Sequence, residues 1–243
     1  MTATATTTAT TTAVSAPFRT DAYERWSIWE HSATVHELYA GRCRREQPEM
    51  TCAAQAAELL APFVQTGDTL VDAGCGSGYL YHSLHDRAIA VEYWGFDASP
   101  TLIGIGRAWM PAHGLPAERL VNARIEDVDG SADHVICLNV LSNVDNYHRP
   151  LERLAAMAAK TLILRESITD VSTCRYVTDH FLDDEVQLDV HVNHYGRAEL
   201  AAFLGRRGFE VTFVTDRRTG GRPEAVIGHD HYWTFVVAVR KHA

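Results

Sequence analysis

The sequence predicts an α/β fold, a seven-stranded and mostly parallel sheet covered by helices on both faces. Three observations predict it. From residue 68 to residue 164, short apolar runs alternate with helical patterns at the spacing of βαβ units, which sets the strands parallel beneath crossover helices. The first of those runs enters a turn with glycine at three alternate positions. The last third changes character: Glu210–Thr215 and Tyr232–Val239 flank a polar loop and predict an antiparallel hairpin at a sheet edge.

Composition narrows the function. The chain has 243 residues, 46% hydrophobic and 22% charged, which suits one globular domain and excludes a collagen-like or coiled-coil body. No apolar run approaches the roughly 20 residues that span a bilayer. The net charge of -9 repels phosphate backbones, so a small-molecule substrate is the expected partner, without nucleic acid or membrane. A homodimer is left open. The cysteines (Cys43, Cys52, Cys75, Cys137 and Cys174) are odd in number and form no C-x-x-C pair. That argues against a disulfide framework or structural zinc, and free thiols fit a cytoplasmic location.

The elements follow in order. Residues 1–20 hold the Thr/Ala-rich stretch Thr2–Ala16, which lacks the charged and apolar regions of a signal peptide and is expected to be a disordered tail. Residues 21–66 are expected to form a helical N-terminal cap or lid. Tyr23, Trp26 and Trp29 recur at a spacing of three and lead into Val35, Leu38 and Tyr39, which predicts a helix with an aromatic face from Asp21 to Arg45. A second helix is expected over Met50–Ala61, closed by Pro62 and the Gly67-Asp68 break. Residues 67–243 are expected to form the catalytic domain. Its strands are Thr69–Val71, Val91–Phe96, one from Leu120, His134–Leu138 and Thr161–Leu164; helices are expected over Tyr79–Arg87, from Pro100 behind the N-cap Ser99, and over Pro150–Ala159. Leu188–Asn193 alternates as a short strand, and Arg197–Arg207 is helical up to Gly208.

Leu70–Gly78 carries the functional argument. A buried strand runs straight into Gly74, Gly76 and Gly78, where a missing Cβ permits a tight turn and a close approach to a ligand. The following helix offers its N-terminus there. Asp97 ends the next strand, 25 residues after Asp72, where an acid can accept both hydroxyls of a ribose. A dinucleotide fingerprint would need G-x-G-x-x-G, and Tyr79 stands in place of its third glycine. Read alone, Asp72 is equally a helix-capping acid, Asp97 a turn residue, and Cys75 a small side chain filling its place.

The stretch Asp72–Gly78 resembles the D-x-G-x-G-x-G loop of the class I S-adenosylmethionine (SAM)-dependent methyltransferases. The resemblance covers Asp68–Glu166 by motif order and extends to the C-terminus by strand order. It implies a Rossmann-like fold with SAM as cosubstrate. By position it places Asp72 near the methionine part of SAM, with Gly74, Cys75, Gly76 and Gly78 as the loop beside it. Asp97 would hold the ribose hydroxyls and Ala98 would lie beside adenine. Where the family often has an acid for the adenine amine, this chain has Arg124, which leaves adenine to the backbone of Ile125 or to Glu126. Asn139–Asn143 occupies the loop that floors the reaction centre.

Methyl transfer is a displacement at a sulfonium, so the site must align a nucleophile and exclude water. Tyr23, Trp26 and Trp29 could cover the sulfonium by cation–π attraction, or pack onto the core. Candidate bases and anchors are Asn139, Asn143, Glu166, Tyr176, His180, His191, His194 and Tyr195, with Asn139, Asn143, Tyr176 and His180 foremost. His191, His194, His229 and His231 lack helical ligand spacing, and no metal is expected. The basic segment Arg217–Pro223 reads as a solvated loop. Two further readings stay open: cyclisation of SAM to azetidine-2-carboxylate and methylthioadenosine, and a SAM-binding module without turnover.

Overall fold

The computed structural model describes residues 28–145, 147–179, 188–226 and 228–241. The Thr/Ala tail, Tyr23, Trp26 and His180 therefore lie outside the described residues.

Seven strands form the main sheet in the order β3-β2-β1-β4-β5-β11-β8. They are β1 (Thr69–Ala73), β2 (Glu92–Asp97), β3 (Leu120–Asn122), β4 (Ala132–Leu138), β5 (Ala158–Thr169), β8 (Phe209–Thr215) and β11 (Trp233–Arg240). The pairings among β1 to β5 are parallel, while β11 lies antiparallel between β5 and β8. The C-terminal hairpin thus places its second strand inside the sheet and its first at the edge. The expected seven-stranded, mostly parallel sheet is present.

Two elements extend it. β6 (Thr173–Asp179) and β7 (Leu188–Gly196) form an antiparallel hairpin, joined to the end of β5 through Ile168 and Thr169. A small hairpin, β9 (Glu224–Val226) and β10 (His229–His231), stands in the polar loop before β11.

The helices are α1 (Ile28–His31), α2 (Ala33–Cys43), α3 (Thr51–Leu60), α4 (Leu80–Asp86), α5 (Pro100–Trp109), α6 (His148–Met157) and α7 (Arg197–Gly205). The continuous helix expected up to Arg45 is broken at Ser32, whose extended backbone and side chain cap a new start, the hydroxyl accepting from Val35 N at 3.1 Å. Ser99 caps α5 in the same way. The helix expected over Pro150–Ala159 ends at Met157, and β5 begins directly behind it.

Two apolar layers hold the sheet. On one face Leu60, Leu70, Leu84, Ile103, Ile136 and Phe235 pack beneath α3, α4 and α5. On the other Val135, Leu151, Leu162, Leu204 and Phe209 pack beneath α6 and α7. Each such buried side chain contributes roughly 1.5–3 kcal/mol of transfer free energy. The parallel strands β1, β2 and β4 end together at one edge of the sheet, where ligands of open α/β sheets bind.

Candidate active site

The turn after β1 is shaped by backbone that only glycine adopts without strain. Gly74, Gly76 and Gly78 have φ of +75°, +57° and +80°. Space is short as well: a Cβ on Gly74 would sit 2.2 Å from Val140 Cγ2, and one on Gly76 would sit 2.2 Å from the Tyr39 ring. The N–H groups of Gly74 and Cys75 both donate to Phe96 O, at 2.8 and 3.0 Å, which ties the turn to the end of β2.

Asp97 follows Phe96. One carboxylate oxygen accepts from Gly76 N and the other from Ser99 N, each at 2.8 Å. Each oxygen keeps lone pairs for a further donor. Burial raises the Asp97 pKa against these two N–H groups. Asp72 is buried in β1 and accepts from the Tyr93 hydroxyl at 2.7 Å; burial pushes it up to about 7. Cys75 is buried, with its thiol raised well above the usual range by burial, so it fills space between the turn and Gly95.

A second loop, after β4, faces the first. Asn139 has a φ of +60°, a conformation that asparagine tolerates better than most residues. Its backbone N–H donates to Arg165 O at 2.7 Å, and its side-chain oxygen accepts from Arg165 Nη1. Arg165 Nε donates to Asp216 at 2.8 Å, and both members of this pair are buried. Gln55 on α3 fixes the loop that carries Asp216, donating to Thr215 O and accepting from Arg217 N.

Glu166 holds the rest of the loop from below. Its carboxylate accepts from Val140 N at 3.1 Å, Leu141 N at 2.9 Å, Ser142 N at 2.9 Å and Ser142 Oγ at 2.6 Å. Burial pushes it up to about 7 while these four donors pull it down. Asn143 donates to Asn139 O at 3.0 Å, and the buried Tyr195 hydroxyl donates to Leu141 O.

The N-terminal helices cover this edge. Glu30 on α1 accepts from Ser99 Oγ and Thr101 Oγ1, both at 2.5 Å, and from Thr101 N at 3.3 Å. Trp29 packs against Val190 and Val192 of β7. Tyr39 on α2 lies over Gly76, and the Arg42 guanidinium sits 5.0 Å from the Tyr39 ring and 5.2 Å from the Tyr79 ring. Burial pushes the Tyr39 hydroxyl up to about 12. Among the described residues no carboxylate pairs with Arg42.

Comparison with known proteins decides what this arrangement is. A family model described as a methyltransferase domain matches residues 44–214. The chain belongs to this family. It is a class I SAM-dependent methyltransferase. A sequence search of curated proteins returned no match. Among solved structures, magnesium protoporphyrin IX methyltransferase (ChlM) from Synechocystis PCC 6803, with bound SAM, matches at a TM-score of 0.58 and 17% identity, over 94% of this chain and 100% of that one. An S-adenosylmethionine-dependent methyltransferase from Clostridium acetobutylicum ATCC 824 matches at 0.58 and 13%, over 84% and 97%. CalS10, an amino pentose methyltransferase from Micromonospora echinaspora involved in calicheamicin biosynthesis, matches at 0.56 and 16%, over 82% and 94%.

The methyltransferase brings together Asp72, Gly74, Cys75, Gly76, Gly78, Asp97 and Asn139 at one edge, with Ala98 directly behind Asp97. Ile125 is buried in a 3-10 turn after β3, and Glu126 beside it pairs with Arg124 at 3.4 Å. Tyr176 lies on β6, exposed, its ring 4.6 Å from His191. The loop expected after the fifth strand is partly strand: β5 continues through Arg165 and Glu166 because both are paired inside the protein. Glu166 and Tyr195, two of the candidate anchors, spend their polar atoms on the Val140–Ser142 turn. Arg217 and Arg218 pair with Glu58 and Glu224, and Arg222 donates to Thr219 O at 3.4 Å. Among the described residues no three His, Cys, Asp or Glu side chains gather as a metal requires, and no helix is long and apolar enough to cross a membrane.

Two features were missed from the sequence. Arg42 stands among the charged residues at the end of a helix and reads as solvated; its one signal is Tyr39 three positions earlier, on the same face. Trp233 reads as the start of a strand, yet its ring lies 4.5 Å from the guanidinium of Arg165, which holds Asn139.

Proposed function

We propose that this methyltransferase transfers the methyl group of SAM to a small molecule of specialised metabolism. The observation that carries the reading is the bare Gly74–Gly78 turn tied to Asp97. Its residues fit SAM: a carboxylate with lone pairs to spare meets the ribose hydroxyls, and Arg42, which pairs with no carboxylate among the described residues, meets the methionine carboxylate. Asp72, Gly74, Cys75, Gly76 and Gly78 line the methionine side, with Tyr23 as a covering ring. Ala98, Ile125 and Glu126 border adenine. Bound SAM supplies a methyl group made electrophilic by the sulfonium.

The chain's own residues orient and exclude. Asn139, locked by Arg165 and by its left-handed backbone, presents its carboxamide N–H groups to the reaction centre. Tyr176, His180 and Asn143 are the further candidates for contact with the acceptor. α1 and α2 shut water out over the turn, which strengthens every polar interaction beneath. Small-molecule substrates appear among the structural neighbours, an amino pentose for CalS10 and magnesium protoporphyrin IX for ChlM. Residues 67–243 act as the catalytic domain and 21–66 as its lid, in the cytoplasm.

A second reading is ring closure of SAM itself, in which the α-amine displaces methylthioadenosine from Cγ and leaves azetidine-2-carboxylate. One observation favours it: the acids around Asn139 are spent on Arg165 and on the Val140–Ser142 turn, leaving a neutral setting for an amine nucleophile. Incubation with SAM alone separates the two by mass spectrometry. Methyl transfer predicts no methylthioadenosine above the enzyme-free rate, and S-adenosylhomocysteine once an acceptor is added. Methylthioadenosine with azetidine-2-carboxylate would overturn it in favour of ring closure.

A further inference from the structure

Glu30, on α1, spends both carboxylate oxygens on a different element. Oε2 accepts from Ser99 Oγ at 2.5 Å and from Thr101 N at 3.3 Å, and Oε1 accepts from Thr101 Oγ1 at 2.5 Å. The start of α5 needs such a partner. Pro100 has no N–H, Leu102 N donates to Ser99 Oγ and Ile103 N donates to Ser99 O. Thr101 N is the first-turn donor that the helix's own cap leaves over, and a carboxylate suits that end of the helix dipole.

The preceding residue is anchored on the other side. Trp29 packs on Val190 and Val192 of β7, which joins the end of β5. α5 starts just behind the end of β2. The sheet order puts β1 and β4 between β2 and β5, a span of roughly 14 Å at the spacing of neighbouring strands. The glycine turn follows β1 and Asn139 follows β4. Successive helical side chains point about 100° apart, so the single turn of α1 reaches both anchors and crosses above the glycine turn and Asn139.

α1 is free to turn against α2. α2 is fixed on the glycine turn, where Ser77 Oγ donates to Tyr39 O at 3.4 Å and the Tyr39 ring lies against Gly76. Between the two helices Ser32 is extended, at φ -83° and ψ 113°. Its polar groups serve α2: Oγ accepts from Val35 N and the carbonyl from His36 N. Close to this joint His36 Nε2 donates to Trp29 O at 3.2 Å. Across the site, α1 is held by the Glu30 bonds on one side and the Trp29 packing on the other.

We propose that α1 is a strap that opens about Ser32 to let SAM in and out, and that Glu30 is its latch. This rests on the methyltransferase reading of the site beneath. The latch bonds join protein to protein, so they weigh equally on the empty and the loaded site. Losing them lowers the barrier to exchange and leaves the affinity nearly unchanged. A residue that only positioned Asp97 would act differently: its loss would speed dissociation alone and weaken binding in proportion.

The test is stopped-flow tryptophan fluorescence of the full chain with S-adenosylhomocysteine, dissociation being read by displacement with excess SAM. Glu30→Ala should raise the association and dissociation rate constants together, each at least about five-fold, with Kd within about three-fold of wild type. Thr101→Val removes one latch bond and no bond of Asp97, and should move both rates the same way by less. Unchanged rates in Glu30→Ala, or faster dissociation with unchanged association, would overturn the latch. Failure of S-adenosylhomocysteine to bind the wild type would instead strike the methyltransferase reading. Acrylamide quenching of Trp29, taken as the difference from Trp29→Phe, then judges the strap: Glu30→Ala should increase it, and equal quenching overturns the proposal.

Discussion

Glu166→Gln is the perturbation whose size follows most directly from geometry. The carboxylate takes four donors from three consecutive residues. A glutamine oxygen can still accept from two of them. Its amide NH2 then faces Ser142, where the hydroxyl can turn and accept but the backbone N–H cannot. One buried N–H is left unpaired, at roughly 1–3 kcal/mol, and the two surviving bonds lose their charge, at several tenths of a kcal/mol or more each. The lost bonding sums to about 3 kcal/mol, and glutamine is spared part of the desolvation that pushes this carboxyl up to about 7, which leaves a net loss of about 1–2 kcal/mol. For a chain of this size each kcal/mol lowers Tm by roughly 2–4 °C, so a fall of roughly 2–8 °C is expected in scanning calorimetry. The same turn carries Asn139, so turnover should fall with stability. A Tm within about 2 °C of wild type would refute the reasoning, because it would mean that Glu166 does not hold the turn.

Asn139→Ala should leave SAM affinity within a few-fold and lower turnover at least about ten-fold, or about 1.4 kcal/mol in the barrier. Asn139→Gly, which relieves the left-handed strain, should restore stability in urea unfolding but not turnover. Arg42→Gln should weaken SAM and S-adenosylhomocysteine binding by roughly 10–100-fold in calorimetry, the worth of a charge-assisted carboxylate contact of about 1.5–3 kcal/mol, and leave methylthioadenosine unaffected because it has no carboxylate. Asp68, beneath the sheet, is raised by burial, but Lys160 at 2.5 Å, Gln65 N at 2.9 Å and His134 at 2.9 Å outweigh that and hold it at about 2, against an ordinary 3.8. A depressed acid stabilises the fold above its unfolded pKa and loses that contribution as pH falls toward the folded value. The stability gap between wild type and Asp68→Asn should therefore shrink by about 2 kcal/mol between pH 5 and pH 2, measured by urea unfolding; a constant gap would contradict it.

The fold was legible where local pattern and global role agree. The β1 strand, the glycine turn and Ser99-Pro100 each follow from one local rule, and the structure keeps all three. Legibility failed where tertiary pairing overrides local polarity. Arg165-Glu166-Ser167 looks like the start of a loop, yet it is the buried middle of β5, because Asp216 neutralises the arginine and a turn of backbone N–H groups satisfies the glutamate. Thr173–Asp179 carries little apolar signal; β6 exists by pairing with β7 and is largely exposed. The site divides in the same way. Asp72, Asp97 and Asn139 stand next to the motif and could be named from it. Trp233 lies more than 90 residues later in sequence, and the antiparallel return of β11 beside β5 brings its ring to Arg165, which holds Asn139.

Calorimetric titration of SAM into the wild type and Asp97→Ala tests the site most directly. Asp97→Ala removes two ribose hydrogen bonds to a charged acceptor, together about 3 kcal/mol or more, which is about 100-fold or more in affinity. One SAM bound per wild-type chain, with binding lost in an Asp97→Ala protein of unchanged circular dichroism, is the predicted result. Absence of binding to the wild type, or equal affinity in Asp97→Ala, would contradict it.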